Sequence, residues 1–560
     1  MQACDSALAA GLLRSEVPGL ACRHDLVRHA VACGLPASER TELHRHAALW
    51  LATQGELDAL TIAEHWNAAN EPQTALAWRH RAGRQLKARG HFDEARRMWR
   101  EVVDSSLEVS LRLRSQLDLA ACDLYDNLAR GEAALQAVCA QLNAVADTEQ
   151  RLHIEADALA ARVDNRVFAG DVPAACLHAA RLRSLLPQLR PAEAVNAIEV
   201  LIELAMRQPD IAAAWALLGQ LRELEPQRPT LLSYEGQIHW FGGQVQAAHD
   251  VLARMLELYP DYCRGITIEN DLAVMLQALG RIEEAEAMAQ RSLQNWVGVA
   301  HTETLSLLVL GLISTSAGRH AQADATLQRA LVMACEQGSP GFESEALVRR
   351  ARMLLQCGQI AAAQQALQRA APLLIDSPEP MRISQLVLMQ MLCASAAGAQ
   401  PPAGAMQRLR KVARSSEHPL VHVRLARVQN ELAAMQADWP RAAAAAAEMA
   451  KQARSGGLLE SLAEALLLQA RAGLASTPSA TAHAETRHPT ALAQQAWELA
   501  KRHGFADVRW RAASWLQAHG GEFTPVDGAA QVAEALVCLQ GSTLPMLFDA
   551  AAAARREPCW

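Results

Sequence analysis

At 560 residues the chain is too long for a single compact core, so several domains or an extended repeat array is expected. Hydrophobic residues make up 51% and aromatics only 4%, so the apolar content is mostly Ala and Leu; this points to helix almost throughout and excludes a strand-rich fold. The formal charge is −7 with acids and bases interspersed, and this argues against a dedicated nucleic-acid reader, which carries a basic face or stripe.

The first elements are short. The N-terminus lacks a basic run and carries Asp5, so it does not read as a signal peptide. Ala9 to Leu13 finishes a helix or enters a strand, and Leu12–Glu16 and Leu20–Arg23 flank a Pro18–Gly19 turn as two short strands. An amphipathic helix opens over Arg23–Ala30. Leu35–Pro36, Arg40, Leu43–Ala48, Ile62–Trp66 and Ala68–Ala75 follow. This succession of phrases resembles the stretch that joins the ATPase module to the helical repeats in bacterial signal-transducing ATPase regulators. Among these are transcriptional activators of the antibiotic-regulator and maltose-regulator types. The resemblance covers about 75 residues, with Cys22 standing where an aromatic is usual.

What that resemblance implies is specific. Residues 1–75 would be a winged-helix remnant with linker helices. His24 would stand where a winged-helix histidine contacts a nucleotide phosphate, which makes it a nucleotide-sensing candidate. The plainer reading is that His24 and Asp25 cap a helix. The sequence contains no G-x-x-x-x-G-K-[ST] phosphate loop, so ATP hydrolysis by this chain alone is not expected and no cofactor is assigned. An ATPase domain would lie upstream if the chain is part of a longer regulator. A free-standing descendant is the alternative.

From residue 76 a repeat takes over. Gly90, Gly131 and Gly170 are 41 and 39 residues apart. Gly243, Gly280, Gly318, Gly358 and Gly398 follow at intervals of 37, 38, 40 and 40. The Pro209–Asp210 break fills the gap, and Trp439 extends the series. A small residue lies seven positions before several of these glycines: Gly83, Gly236, Ala273, Gly311 and Ala351. An alanine lies five positions after them: Ala95, Ala175, Ala248, Ala285, Ala323 and Ala363. A small residue on a first helix admits the second helix closely. The turn glycine accepts the left-handed conformation that ends the first helix, and the alanine makes room on the second. In the unit around Gly318, Leu310–Gly311, Gly318, Ala323, Leu327 and Ala330 are similar to the tetratricopeptide pattern, with a longer unit and without its usual Trp and Pro. The resemblance implies an all-α, right-handed superhelical array of antiparallel helix pairs, with the winged-helix β-hairpin at its N-terminus. Its concave face would bind a protein partner or a small effector.

The array is expected over residues 76–473, an exposed loop over 474–490, and capping helices with a tail over 491–560. In this last part Ala491–His503, Val508–Ala518 and Ala529–Gln540 are helical. The longest uncharged stretch, Ile383–Gln407, is broken by Gln390, Gln400 and Pro401–Pro402, so a buried helix is expected there and no membrane span.

Catalytic and metal motifs are missing. None of the 12 cysteines forms a C-x-x-C pair, which fits a reducing cytoplasm. His44 and His46 fall on different faces of a helix; His418 and His422 share a face but lack accompanying carboxylates, so no metal is expected. Trp50, Trp66, Trp78, Trp99, Trp240 and Trp439 are expected in the core, and Trp296, before a helix break, nearer the surface. The reading is a non-enzymatic interaction or effector-sensing arm of a bacterial transcriptional regulator. The alternative is a stand-alone adaptor or scaffold.

Overall fold

A computed structural model of the chain describes residues 2–10, 12–16, 19–22, 25–53, 58–263, 267–296, 299–375, 377–476 and 487–519. His24, Pro18 and the expected helix at Ala529–Gln540 lie outside these residues. The described residues form two units. One runs to Leu119 and includes Gln141–Ala146; the other comprises Ala120–Ala140 and everything from Asp147 onward.

The first unit opens with α1 (Gln2–Ala9) and an antiparallel hairpin, β1 (Leu13–Glu16) and β2 (Gly19–Cys22), in which Leu13 pairs with Cys22 and Glu16 with Gly19. The hairpin falls within one residue of the strands expected from the sequence. Then come α2 (Asp25–Gly34), α3 (Ala37–Ala52), α4 (Ala59–Ala68), α5 (Pro72–Ala88), α6 (Phe92–Ser105) and the start of α7 (Val109–Asp126). Trp66 and Trp99 are buried as expected. Trp50 is not: it is 53% exposed, because it lies two positions, about 200° around α3, from the buried Ala48.

The second unit is a succession of helix pairs. After α8 (Leu128–Ala140) the pairs are α9 (Thr148–Ala169) with α10 (Val172–Leu185), α11 (Pro191–Arg207) with α12 (Ile211–Leu224), and α13 (Thr230–Phe241) with α14 (Val245–Leu258). A short α15 (Pro260–Cys263) precedes α16 (Ile268–Ala278) with α17 (Ile282–Asn295), α18 (Ala300–Ser316) with α19 (His320–Gln337), and α20 (Pro340–Gln356) with α21 (Ile360–Leu373). The last pairs are α22 (Pro380–Ala396) with α23 (Ala405–Arg414), α24 (Pro419–Met435) with α25 (Trp439–Ser455), and α26 (Leu459–Ser476) with α27 (Arg487–His503); α28 (Ala506–His519) ends the described array.

The turns have one chemistry. Gly280, Gly318 and Gly358 have φ of 75°, 75° and 76°. At each, the next residue's N–H returns to a carbonyl five residues back, as Arg281 does to Leu276 at 2.8 Å. This closes the orphaned carbonyls of the first helix while the chain reverses. Ala437 holds the same turn with φ of 56° and no glycine's freedom, and the Asp438 N–H returns to the Ala433 carbonyl at 2.9 Å.

The close approach within a pair also recurs. A Cβ on Gly236 would lie 2.3 Å from Leu252, and one on Gly311 would lie 2.5 Å from Leu327. In the first unit, Gly83 faces Trp99 at the same spacing of 16 residues, with 2.4 Å to the indole nitrogen. Ala95, Ala175, Ala248, Ala285, Ala323 and Ala363 are all fully buried. Trp296 departs from its expected exposure. It caps α17 through its N–H to Ser292 and its side chain is 5% exposed, so the helix break folds it inward. No described helix is long and apolar enough to cross a membrane.

Candidate functional site: the interior channel of the second unit

The second unit winds back on itself. Arg207, at the end of α11, reaches Glu379, at the start of α22, with 3.3 Å between Nη1 and Oε2 across 172 residues of sequence. The turn at Gly243 packs on Pro419 of α24 and on His418, which caps its start. The turn at Gly280 packs on His503 and on Leu459 of α26, and its carbonyl lies 3.0 Å from His503 Nδ1. Turns of early pairs thus rest on late pairs, and the first helices of the pairs face inward around a cavity of about 470 Å³.

The wall of that cavity comes from one class of element. Between α9 and α28 it is built almost entirely by the first helix of each pair, and the turn glycines and second-helix alanines take no part in it. Leu305, Val309, Phe342, Leu388 and Leu392 supply apolar surface. Charged residues interrupt them at helical spacing, as in Glu345–Arg349–Arg352 of α20 and Arg424–Arg427 of α24.

Most of these charges are paired, some along one helix and some across helices. Arg382 reaches Glu379 at 3.4 Å, Arg427 reaches Glu464 at 3.1 Å, and Arg511 bridges Glu464 and Asp507 at 3.2 Å each. Arg349 pairs with Glu345, and Arg352 with Glu460. Glu460 Oε2 also accepts from Gln277 at 3.0 Å and from Ser316 at 3.1 Å, so one carboxylate ties α16, α18, α20 and α26 together.

Two places carry unbalanced charge. At one, burial and the neighbouring Glu203 push the Asp271 carboxyl up to about 7, against the pull of Arg207 and a hydrogen bond from Gln237; Glu203 is itself pushed up, first by burial. At the other, burial together with Arg352 and Arg349 brings the Arg424 guanidinium down to about 9. The cavity therefore has an acidic pole on α11 and α16 and a basic pole on α20 and α24. It offers hydrogen bonds and charge to a ligand; among the described residues, no three His, Cys, Asp or Glu side chains are placed to share a metal ion.

The repeat-defining residues singled out in the sequence fall outside the cavity wall, whereas Trp240 lines it. Gly83, Gly90 and Ala95 belong to the first unit. Gly236, Gly243, Ala248, Ala273, Gly280, Ala285, Gly311, Gly318, Ala323, Gly358 and Ala363 shape the pairs and turns of the second. His418 is the exception among residues weighed for chemistry. Its Nδ1 accepts from the Leu420 N–H at 3.1 Å, its ring stands edge-on to Trp240 at 5.1 Å, and it lines the cavity. His422 turns away to the Ser416 carbonyl at 2.7 Å. The wall arginines and glutamates were missed, yet a signal existed: charges at i, i+4 and i+7 on helices whose other faces are apolar.

The first unit holds one arrangement that resembles a hydrolytic triad. His80 Nδ1 lies 3.0 Å from Ser115 Oγ, and Nε2 lies 3.6 Å from Asp118. Ser115 is fully buried and the imidazole is brought down to about 4, chiefly by burial against the pull of Asp118, so the serine is neither reachable nor activated. The cluster is a packing network.

No protein-family model matches the chain, and no curated protein matches it in sequence. Solved structures do resemble it. The Rap protein complexed with competence and sporulation factor is 14% identical with a TM-score of 0.47, and the match covers 63% of this chain and 99% of that one. The Cut9–Hcn1 hetero-tetramer of the APC/C is 13% identical with a TM-score of 0.47, covering 92% and 94%. A signal transduction ATPase with numerous domains, bearing a tetratricopeptide repeat sensor and coming from Pyrococcus horikoshii, is 14% identical with a TM-score of 0.26, covering 80% of this chain and 58% of that one.

Proposed function

We propose that the chain is a non-catalytic sensing arm that takes a small effector or a segment of a protein partner into the channel of its second unit. The observation that carries this reading is the cavity of about 470 Å³ walled by the first helices of successive pairs, with apolar surface and two charged poles. A cavity of this size and mixed lining suits a ligand of drug-like dimensions. Because turns of early pairs rest on late pairs, an occupant would touch helices that are distant in sequence and would favour one winding of the array over another. Such a difference in affinity between windings is what lets binding act as a signal.

The same reading makes the arm part of a cytoplasmic bacterial transcriptional regulator. The support is the order of phrases over residues 1–75, which resembles the linker of signal-transducing ATPase regulators. Peptide mapping of the native polypeptide tests it. A species well above 60.6 kDa that yields peptides containing a phosphate loop is the expected result. A species of 60.6 kDa beginning at Met1 would overturn the regulator assignment and make the chain a stand-alone adaptor.

A further inference from the structure

Seven arginines line the channel, and six of them pair with carboxylates. Arg424 does not, among the described residues. Its Nη1 donates to the Met381 carbonyl at 2.7 Å and to Ser384 Oγ at 3.0 Å, both neutral acceptors. Arg352 and Arg349 add repulsion from the neighbouring helix, and Glu345 of that helix, itself tied to Arg349, offsets only part of it. A cation set in a largely desolvated wall with no carboxylate in direct contact is costly, and a bound anion relieves that cost.

A second donor stands on the same helix end. His418 is 2% exposed, and because its Nδ1 accepts from the Leu420 N–H, its proton sits on Nε2. That Nε2 is buried and has no hydrogen-bond partner among the described residues, although the residue lines the channel. Burial, with Arg424 and His422 beside it, brings the imidazole down to about 3, so the ring is a neutral donor at ordinary pH.

We propose that Arg424 and the Nε2–H of His418 form an anion subsite for the carboxylate of a small ligand whose apolar body lies along Leu388, Leu392 and Val309. One unbalanced positive charge matches a monoanion, and one guanidinium with one N–H matches the two oxygens of a carboxylate. The inference deepens the channel reading above and rests on it.

Octanoate is a suitable probe, with methyl octanoate as its uncharged counterpart, both titrated calorimetrically into the full chain. Octanoate is expected to bind at about 1 mM or better and about tenfold tighter than the ester. Arg424→Met, with far-UV circular dichroism unchanged, is expected to lose about tenfold for octanoate and nothing for the ester. Equal affinity for acid and ester, or full affinity for octanoate in the variant, overturns the subsite but leaves the channel reading standing. No binding of octanoate at about 1 mM also overturns the subsite. Should Arg424→Met fail to fold, carboxyl-¹³C octanoate on the wild-type chain decides. A bound carboxyl that titrates below the free acid supports the subsite, and one that titrates at or above it overturns the subsite.

Discussion

Arg352 and Glu460, 108 residues apart in sequence, form an ion pair inside the second unit. The same carboxylate accepts from Gln277 and Ser316, so donors from α16, α18 and α20 converge on one acid of α26. Side chains on helices far apart in the sequence thereby share one hydrogen-bonded node. Both members of the pair are largely buried, at 23% and 17% side-chain exposure.

Removing that acid leaves buried donors unmet. Glu460→Ala is expected to destabilise the second unit by about 3 kcal/mol, because breaking a buried pair leaves an uncompensated charge. Glu460→Gln, which keeps acceptor geometry, should lose less. Thermal unfolding followed by circular dichroism ranks the three chains. Equal midpoints would remove the node from the account.

Gly311 and Leu327 set the spacing of α18 and α19. A Cβ on Gly311 would lie 2.5 Å from Leu327 Cδ2. Gly311→Ala should therefore cost about 1–3 kcal/mol by overpacking. Combined with Leu327→Ala, itself destabilising, the losses should sum to less than additive, since the two changes share one contact. Additive losses in a double-mutant cycle would show that the glycine acts elsewhere.

Ala437 holds a left-handed turn that glycines hold in the neighbouring repeats. Ala437→Gly should raise stability by roughly 0.5–1 kcal/mol, as relief of the Cβ clash exceeds the added freedom of the unfolded chain. A lower unfolding midpoint would contradict the turn geometry.

Asp271 links stability to pH. Its carboxyl is raised in the folded chain to about 7 from an ordinary value near 3.8, first by burial and then by Glu203. Between those values the folded state holds a proton that the unfolded state has released, so this contribution to stability falls as pH rises from 4 through 7. Asp271→Asn removes the titration. The variant should be more stable than wild type at pH 8, by on the order of 1 kcal/mol or more, with the gap closing toward pH 4. Denaturation at several pH values between these limits checks it; a gap independent of pH would assign the effect to packing.

The scaffold was legible in the sequence because its rules are local. Gly280, Gly318 and Gly358 announce turns by themselves, and Gly311 with Ala323 announces a close helix pair. The hairpin was legible too, from Pro18–Gly19 between two short runs. The channel was not, since Arg207 meets Glu379, and Arg352 meets Glu460, only after the array has wound round. No local window holds both partners. Trp50 and Trp296 misled for different reasons: Trp50 lies on the face of α3 away from the buried Ala48, and Trp296 is turned inward at the end of α17.

The channel itself is tested most directly by filling it. Leu388→Trp places an indole in the apolar wall of the cavity. Native mass spectrometry of the wild-type chain and this variant, each isolated from its own host, compares what the two carry. A bound molecule on the wild type, absent from a variant of unchanged helical content, is the predicted result. A wild-type chain that carries nothing, or the same molecule retained by both, would contradict a ligand-binding channel.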